Sequence, residues 1–223
     1  MRHPVSNTIV LALCAAGVAL TTSACALTSK ADIVDVRYFS PERVKPQLKG
    51  PDSTAAPGAA APDGALRVRL GRVSSGPNLR ERIAYRNAAH ELGYYDGLQW
   101  AERPETYVRR ELGHSLFEAH RIHHVLSGAS PTLDVEVIAF DDLRLGTTRA
   151  ARVQLKIILY DDNGVMLEDT LTVDHPVAGD KPKIEDVVAA MGTALDAAAN
   201  QVTLRVQEAL AARRSAISTD AGP

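Results

Sequence analysis

LDVEVIAFDDLRLGTTRAARVQLKIILYDDNGVMLEDTLTV, residues 133–173, decides the fold. Leu133, Val135, Val137 and Ala139 alternate with Asp134 and Glu136. Ala151, Val153, Leu155, Ile157 and Leu159 do the same with Arg152, Gln154 and Lys156, and Val165, Leu167, Leu171 and Val173 make a third run. A period of two is that of a strand, whose side chains point alternately to opposite faces. Gly146-Thr147 and Asn163-Gly164 supply turn residues at the two junctions. The stretch therefore predicts an antiparallel meander with one face meant for burial.

That face needs a cover. Ile184, Val188, Met191, Leu195, Ala198, Val202 and Ala209 recur at three- and four-residue steps, and interleaved alanines let this long helix sit close to a sheet. A second helix opens at Pro104, with Glu105 suited to its positive end and Val108, Leu112, Leu116 and Ala119 on one side. Arg121, His123 and His124 suit its C-terminal end, and Gly128 with Pro131 stops it. Further strands are expected over residues 33–39, 66–73 and 83–86. Asp96-Gly97, between Tyr94-Tyr95 and Leu98-Gln99-Trp100, reads as a hairpin turn. The expected class is α+β, an antiparallel or mixed sheet with two helices packed on one face.

Composition narrows the function. Hydrophobic residues make up 45% of the 223 and charged residues 23%, an ordinary globular balance. With 25 basic against 27 acidic side chains the net charge is −2, so no basic excess points to nucleic acid. Aromatic residues at 4% argue against a base- or sugar-stacking surface. Residues 46–65 hold four Pro, three Gly and six Ala and only one large aliphatic side chain, Leu48, which reads as a disordered loop.

The beginning of the chain reads as an export signal over residues 1–24: Arg2 and His3, then an uncharged apolar run over residues 8–20 that is too short for a good bilayer span, which takes about 20 residues. Thr22-Ser23-Ala24-Cys25 resembles a bacterial lipobox, with Thr22 where that pattern prefers Leu. Cys25 is thus the expected lipid-attachment site, diacylated on sulfur and acylated on its new amine, the saturated chains being of the palmitate type. Residues 25–32 then form a tether, 33–214 a single domain containing the 46–65 loop, and 215–223 a flexible tail.

Chemistry-bearing motifs are few. His120, His123 and His124 have helical spacing for metal nitrogens, yet no matching set of Cys, His or carboxylates accompanies them, and imidazoles at a helix C-terminus suffice as a reading. Asp141-Asp142 and Asp161-Asp162 read as turn-flanking residues bonded to local backbone. The chain carries no G-x-S-x-G elbow, H-E-x-x-H helix, Walker loop or dinucleotide glycine pattern. No catalytic residue, metal or cofactor is expected, and the protein is read as a non-enzyme.

Ile83-Ala84-Tyr85-Arg86, Glu91-Leu92-Gly93-Tyr94-Tyr95, Trp100-Ala101-Glu102-Arg103-Pro104 and Val108-Arg109-Arg110-Glu111-Leu112 closely resemble the middle of the ABC-type transport auxiliary lipoproteins. Val36-Arg37-Tyr38-Phe39 resembles that family's first strand, and Ala194-Leu195-Asp196 through Leu210 its final helix. The resemblance implies an outer-membrane-tethered, periplasm-facing accessory of a lipid transporter built from an ABC ATPase, a permease and a mammalian-cell-entry-type (MCE) substrate-binding protein. Ala26, where enterobacterial sorting uses Asp to retain lipoproteins in the inner membrane, fits outer-membrane delivery. A homo-oligomer that docks rather than catalyses is expected. Arg86, Tyr94 and Tyr95 are the candidate partner contacts, and Tyr85, Trp100 and Pro104 the structural motif residues, with Trp100 filling the seam between hairpin and helix. A lipid-carrying periplasmic module and a general envelope scaffold are the alternatives. The carrying module would need a dry pocket between sheet and helices.

Overall fold

A computed structural model describes residues 35–42, 65–88 and 90–220. The export signal, Cys25, the tether and nearly all of the 46–65 stretch lie outside the described residues. Eight strands form one mixed sheet: β1 Arg37–Phe39, β2 Arg67–Ser75, β3 Arg82–Ala88, β4 Glu91–Trp100, β5 His123–His124, β6 Thr132–Leu145, β7 Thr148–Asp161 and β8 Gly164–Pro176. The expected meander is β6–β7–β8, antiparallel throughout.

β6 organises the rest. One of its edges pairs with β7 over its whole length, from Thr132↔Tyr160 to Leu145↔Thr148. The other edge is shared: β2 runs parallel to its first half, from Arg69↔Thr132 to Ser75↔Val137, and β3 parallel to its second half, from Ala84↔Asp141 to Arg86↔Leu143. β2 and β3 thus follow one another along a single edge. β4 pairs antiparallel with β3, and β1 lies parallel beside the end of β4.

The helices are α1, Pro104–Gly113, continued by a π-helical turn His114–Ala119, and α2, Ile184–Asp220. Pro104 stands at the start of α1, where its missing N–H costs nothing, and Glu105 lies in the first turn. At the start of α2 the Asp186 carboxylate accepts the Lys183 backbone N–H at 2.8 Å, one half of a capping box. α2 continues beyond the apolar stripe and beyond Arg214, the expected start of a polar tail, as far as Asp220. Both helices pack on the same sheet face. Phe140, Val153, Leu155, Ile157 and Leu159 from the sheet meet Leu112 and Leu116 from α1 and Met191, Leu195, Val202 and Val206 from α2 in one buried cluster. Gly192 lets α2 come against the Pro41 carbonyl, where a Cβ would overlap the oxygen.

Two local expectations change. Asp96-Gly97 is not a hairpin turn. It lies inside β4, opposite a break in the β3–β4 register between Arg82↔Gln99 and Ala84↔Tyr94, so the extra residues form a bulge. Gly97 has the positive φ that the dipeptide signals, +66°, but spends it on that bulge, and the β3–β4 connection falls between Ala88 and Glu91. Nor do His123 and His124 continue α1. The helix ends at the π turn, Arg121 takes φ +54°, and the two histidines form β5 beside Arg67 and Val68 of β2.

Candidate docking face

Asp141 and Asp142 of β6 were expected at a turn and instead sit within the strand, both buried. Neighbours on a strand face opposite ways. Asp142, paired with Ala151, points to the helix side, and Asp141, paired with Arg152, points to the helix-free side. One pair of residues therefore anchors two different constructions.

On the helix side, Arg149 gives Nε to Asp142 Oδ1 and Nη2 to Oδ2, each at 2.9 Å, and Arg144 gives Nε to Oδ2 at 2.8 Å. The Tyr95 hydroxyl donates to Oδ2 at 2.5 Å and accepts from Arg149 Nη2 at 2.8 Å. Arg149 Nη1 also reaches the Pro182 carbonyl just ahead of α2. The Arg144 guanidinium lies 4.3 Å from the Tyr85 ring centroid and 4.7 Å from that of Tyr95, and the two rings meet edge to face at 5.4 Å. Tyr85 can lie there because Gly93, its partner across β3–β4, has no Cβ to strike the ring. Burial alone would push the Asp142 carboxyl up, but hydrogen bonds from Arg149, Tyr95 and Arg144 outweigh it and hold the carboxyl below the usual carboxylate range. Burial, followed by the bond to Asp142, pushes the Tyr95 hydroxyl up and keeps it a donor. Both carboxylate oxygens face donors, so this cluster is suited to holding the sheet end together.

On the helix-free side, Asp141 is 1% exposed. Its Oδ2 accepts Arg86 Nε at 3.2 Å, and its Oδ1 is buried with no partner among the described residues. Burial pushes its carboxyl up, more than the Arg86 and Arg152 charges pull it down. Arg152 gives Nε and Nη2 to the two Asp174 oxygens, each at 2.7 Å. Above this floor Arg86, Ile138, Ala139, Leu143, Leu145, Arg152 and Gln154 line a concavity of about 380 Å³. Ile138 and Leu145 are exposed large aliphatics on its rim, 39% and 44%. No helix covers this face among the described residues.

The three expected contact residues divide between the two faces. Arg86 and Tyr94 share the helix-free face, since Ala84 is register partner to Tyr94 and lies two residues from Arg86. The Tyr94 hydroxyl donates to the Asn78 carbonyl at 2.9 Å, and Arg82 lies 4.7 Å from its ring centroid. Tyr95 turns inward to Asp142. Trp100, 1% exposed, meets Phe140 at 5.3 Å and Tyr107 of α1 at 6.4 Å, the seam position expected of it. The histidines scatter: His120 is 3.4 Å from Asn200 Oδ1, and His124 stacks on Phe117 at 4.0 Å. No three metal-ligating side chains converge among the described residues. Asp161 keeps its turn role by accepting the Asn163 N–H at 2.8 Å, with Arg213 3.2 Å away. Sequence reasoning placed Asp141 and Asp142 at a turn and did not single out Arg144, Arg149 and Arg152 as site residues. The available signal was two carboxylates inside a strand, flanked by Phe140 and Leu143.

Solved structures share this architecture. A protein of Xanthomonas campestris matches with a TM-score of 0.62 over 81% of this chain and 99% of its own, at 18% identity. An uncharacterized protein matches with a TM-score of 0.54 over 63% of this chain and 92% of its own, at 12% identity. At these identities the likeness is one of fold. No curated protein sequence matches the chain. No helix is long and apolar enough to cross a membrane among the described residues. The family model for the ABC-type transport auxiliary lipoprotein component matches residues 47–203, well over half the chain, and the protein belongs to that family.

Proposed function

We propose that the protein is an outer-membrane-tethered, periplasm-facing accessory of an ABC/MCE-type lipid transport system, attached through Cys25, and that it acts by docking rather than by catalysis. The observation that carries this reading is the uncovered sheet face, where exposed Ile138 and Leu145 stand beside Arg86 in a shallow concavity. Arginine, with tryptophan and tyrosine, is enriched among the few residues that carry most of the energy of protein interfaces, in pockets from which their neighbours exclude water. The alternative of a lipid-carrying module finds less support, because the interval between sheet and helices is occupied by Trp100, Phe140, Leu155, Met191 and Leu195, each 2% exposed or less. Asp142, the most heavily bonded carboxylate of the site, is engaged by Arg149, Arg144 and Tyr95 within the sheet, in keeping with a structural role.

A pull-down of the mature chain with the MCE-domain substrate-binding protein of the proposed transport system tests the docking reading, and a fully folded, lipidated protein that fails to bind overturns it. Mass spectrometry of the mature N-terminal peptide tests the anchor. Two or more acyl chains at ~0.8 kcal/mol per buried CH₂ give stable attachment, and an unmodified Cys25 would overturn the tether.

A further inference from the structure

Arg86 differs from the other arginines of its face in how it is held. Arg152 spends both Nε and Nη2 on Asp174. Arg86 is fixed only through Nε, by a carboxylate that is itself buried, so the Nη1 and Nη2 ends of its guanidinium carry no partner among the described residues. The side chain is 24% exposed, and it lines the concavity together with Leu143, Leu145, Ile138 and the Gln154 carboxamide. A guanidinium fixed at one nitrogen offers its other two as a fork of set direction, the geometry that clasps a carboxylate through two parallel bonds. Beside it lies the apolar surface of Ile138, Ala139, Leu143 and Leu145, and the other lining charge, Arg152, is paired with Asp174.

We propose that this concavity receives an acidic side chain flanked by aliphatic residues on the docking partner, the carboxylate clasped by Arg86 and its aliphatic neighbours resting on Leu143, Leu145 and Ile138. The inference rests on the docking function above and names what the face recognises. Charge complementarity selects the occupant: a lining guanidinium whose Nη1 and Nη2 both lack a partner among the described residues calls for an anion, and the aliphatic rim calls for apolar groups immediately beside it. A volume of about 380 Å³ is at the small end of binding pockets, which run from about 300 Å³ upward, and suits one side chain with its neighbours. Two arginines and a glutamine among the seven lining residues make it a poor enclosure for the paired acyl chains of a phospholipid.

The test measures binding of the full mature chain to the MCE-domain substrate-binding protein of the proposed transport system in wild type, Arg86→Lys, Arg86→Gln, Leu145→Glu and Leu145→Lys. Arg86→Lys keeps the charge and loses the fork, and should weaken binding by about ten- to a hundredfold, as expected for a bidentate charge-assisted bond. The Leu145 pair guards against misfolding at Arg86, because Leu145 is a rim residue 44% exposed. Leu145→Glu should weaken binding at least tenfold, whereas Leu145→Lys should leave it unchanged or tighter. If the wild type binds but Leu145→Glu and Leu145→Lys behave alike, or if both Arg86 variants bind as wild type, the acidic occupant is wrong and the docking function stands. If the wild type does not bind at all, the docking reading fails and this inference with it. Flotation of the Cys25→Ser chain, which lacks the acyl anchor, with phosphatidylglycerol and with phosphatidylcholine vesicles forms the other arm. Arg86-dependent flotation confined to phosphatidylglycerol, with partner binding unaffected by Arg86→Gln, would make the occupant a lipid headgroup and overturn the proposal.

Discussion

Replacing Asp142 with Asn keeps the shape of the side chain and removes its charge. The carboxylate now accepts from Arg149, Arg144 and Tyr95 at 2.5–2.9 Å in a fully buried position. In the variant the Asn amide turns a donor toward donors, and two guanidiniums are left facing each other without a counter-ion. Breaking a buried ion pair by removing one partner costs about 3–5 kcal/mol. Arg149 and Arg144 are 22% and 32% exposed, so water recovers part of this and the lower end, about 3 kcal/mol, is expected. For a domain of this size that corresponds to a melting point lower by roughly 6–12 °C. Thermal and urea unfolding at pH 7 measure it, and acid gives an independent check. Because the folded carboxyl lies below its unfolded value, its stabilisation is present above about pH 4 and is lost as pH falls further, through the folded pKa. The gap between wild type and Asp142→Asn should therefore be constant above about pH 4 and narrow as pH falls below it. A loss under about 1 kcal/mol at pH 7, or a gap that widens in acid, would refute the account of the cluster.

Asp141→Asn should show the opposite pH trend, because a carboxyl pushed up by burial stabilises the fold in acid and loses that contribution as pH rises through its folded pKa. Relative to wild type the variant should gain stability from about pH 4 to pH 7, and a flat difference across urea midpoints would contradict this. Gly93→Ala places a Cβ within 2.6 Å of the Tyr85 hydroxyl and ring, and should cost about 1–3 kcal/mol by urea denaturation, relieved in the Tyr85→Ala background. Gly192→Ala should destabilise despite the better helix propensity of alanine, because the opposing atom is the Pro41 backbone oxygen and cannot rotate away; an unchanged or higher melting point would be inconsistent with that contact. Cys25→Ser should move the protein from the membrane to the soluble fraction, and retention on washed membranes would exclude the thioether anchor.

The meander was legible because its alternation is strict. Odd-numbered residues from Ala151 to Leu159 are buried and the intervening even-numbered ones are not, as a sheet covered on one face requires. Pro104 and the seam position of Trp100 were equally readable, each depending on a local rule or on sheer size. Asp96-Gly97 misled for a specific reason: the dipeptide reports a positive φ, and a bulge needs one as much as a hairpin does. His123 and His124 were lost to tertiary context, since a two-residue strand exists only because β2 offers it an edge. The Asp142 cluster lay beyond sequence reach, because Tyr95, Arg144 and Arg149 come from three positions on β4, β6 and β7 whose proximity depends on register. That Tyr95 turns toward Asp142 was out of reach for the same reason, the bulge at Gly97 leaving its direction undetermined by simple alternation.

The shared edge of β6 bears on the order in which the chain assembles. β6, β7 and β8 are joined by tight turns and can form from neighbouring residues alone, whereas β2 and β3 must wait for a strand some sixty residues downstream. Translation delivers the chain from its N-terminus, so β2, β3 and β4 emerge with their apolar sides bare while the edge that will receive them does not yet exist. The half of the domain made first is a guest on the half made last. Substitutions in β6–β8 should accordingly slow folding, while those in β2 should mainly speed unfolding, and a transition state with β2 already docked would contradict this order.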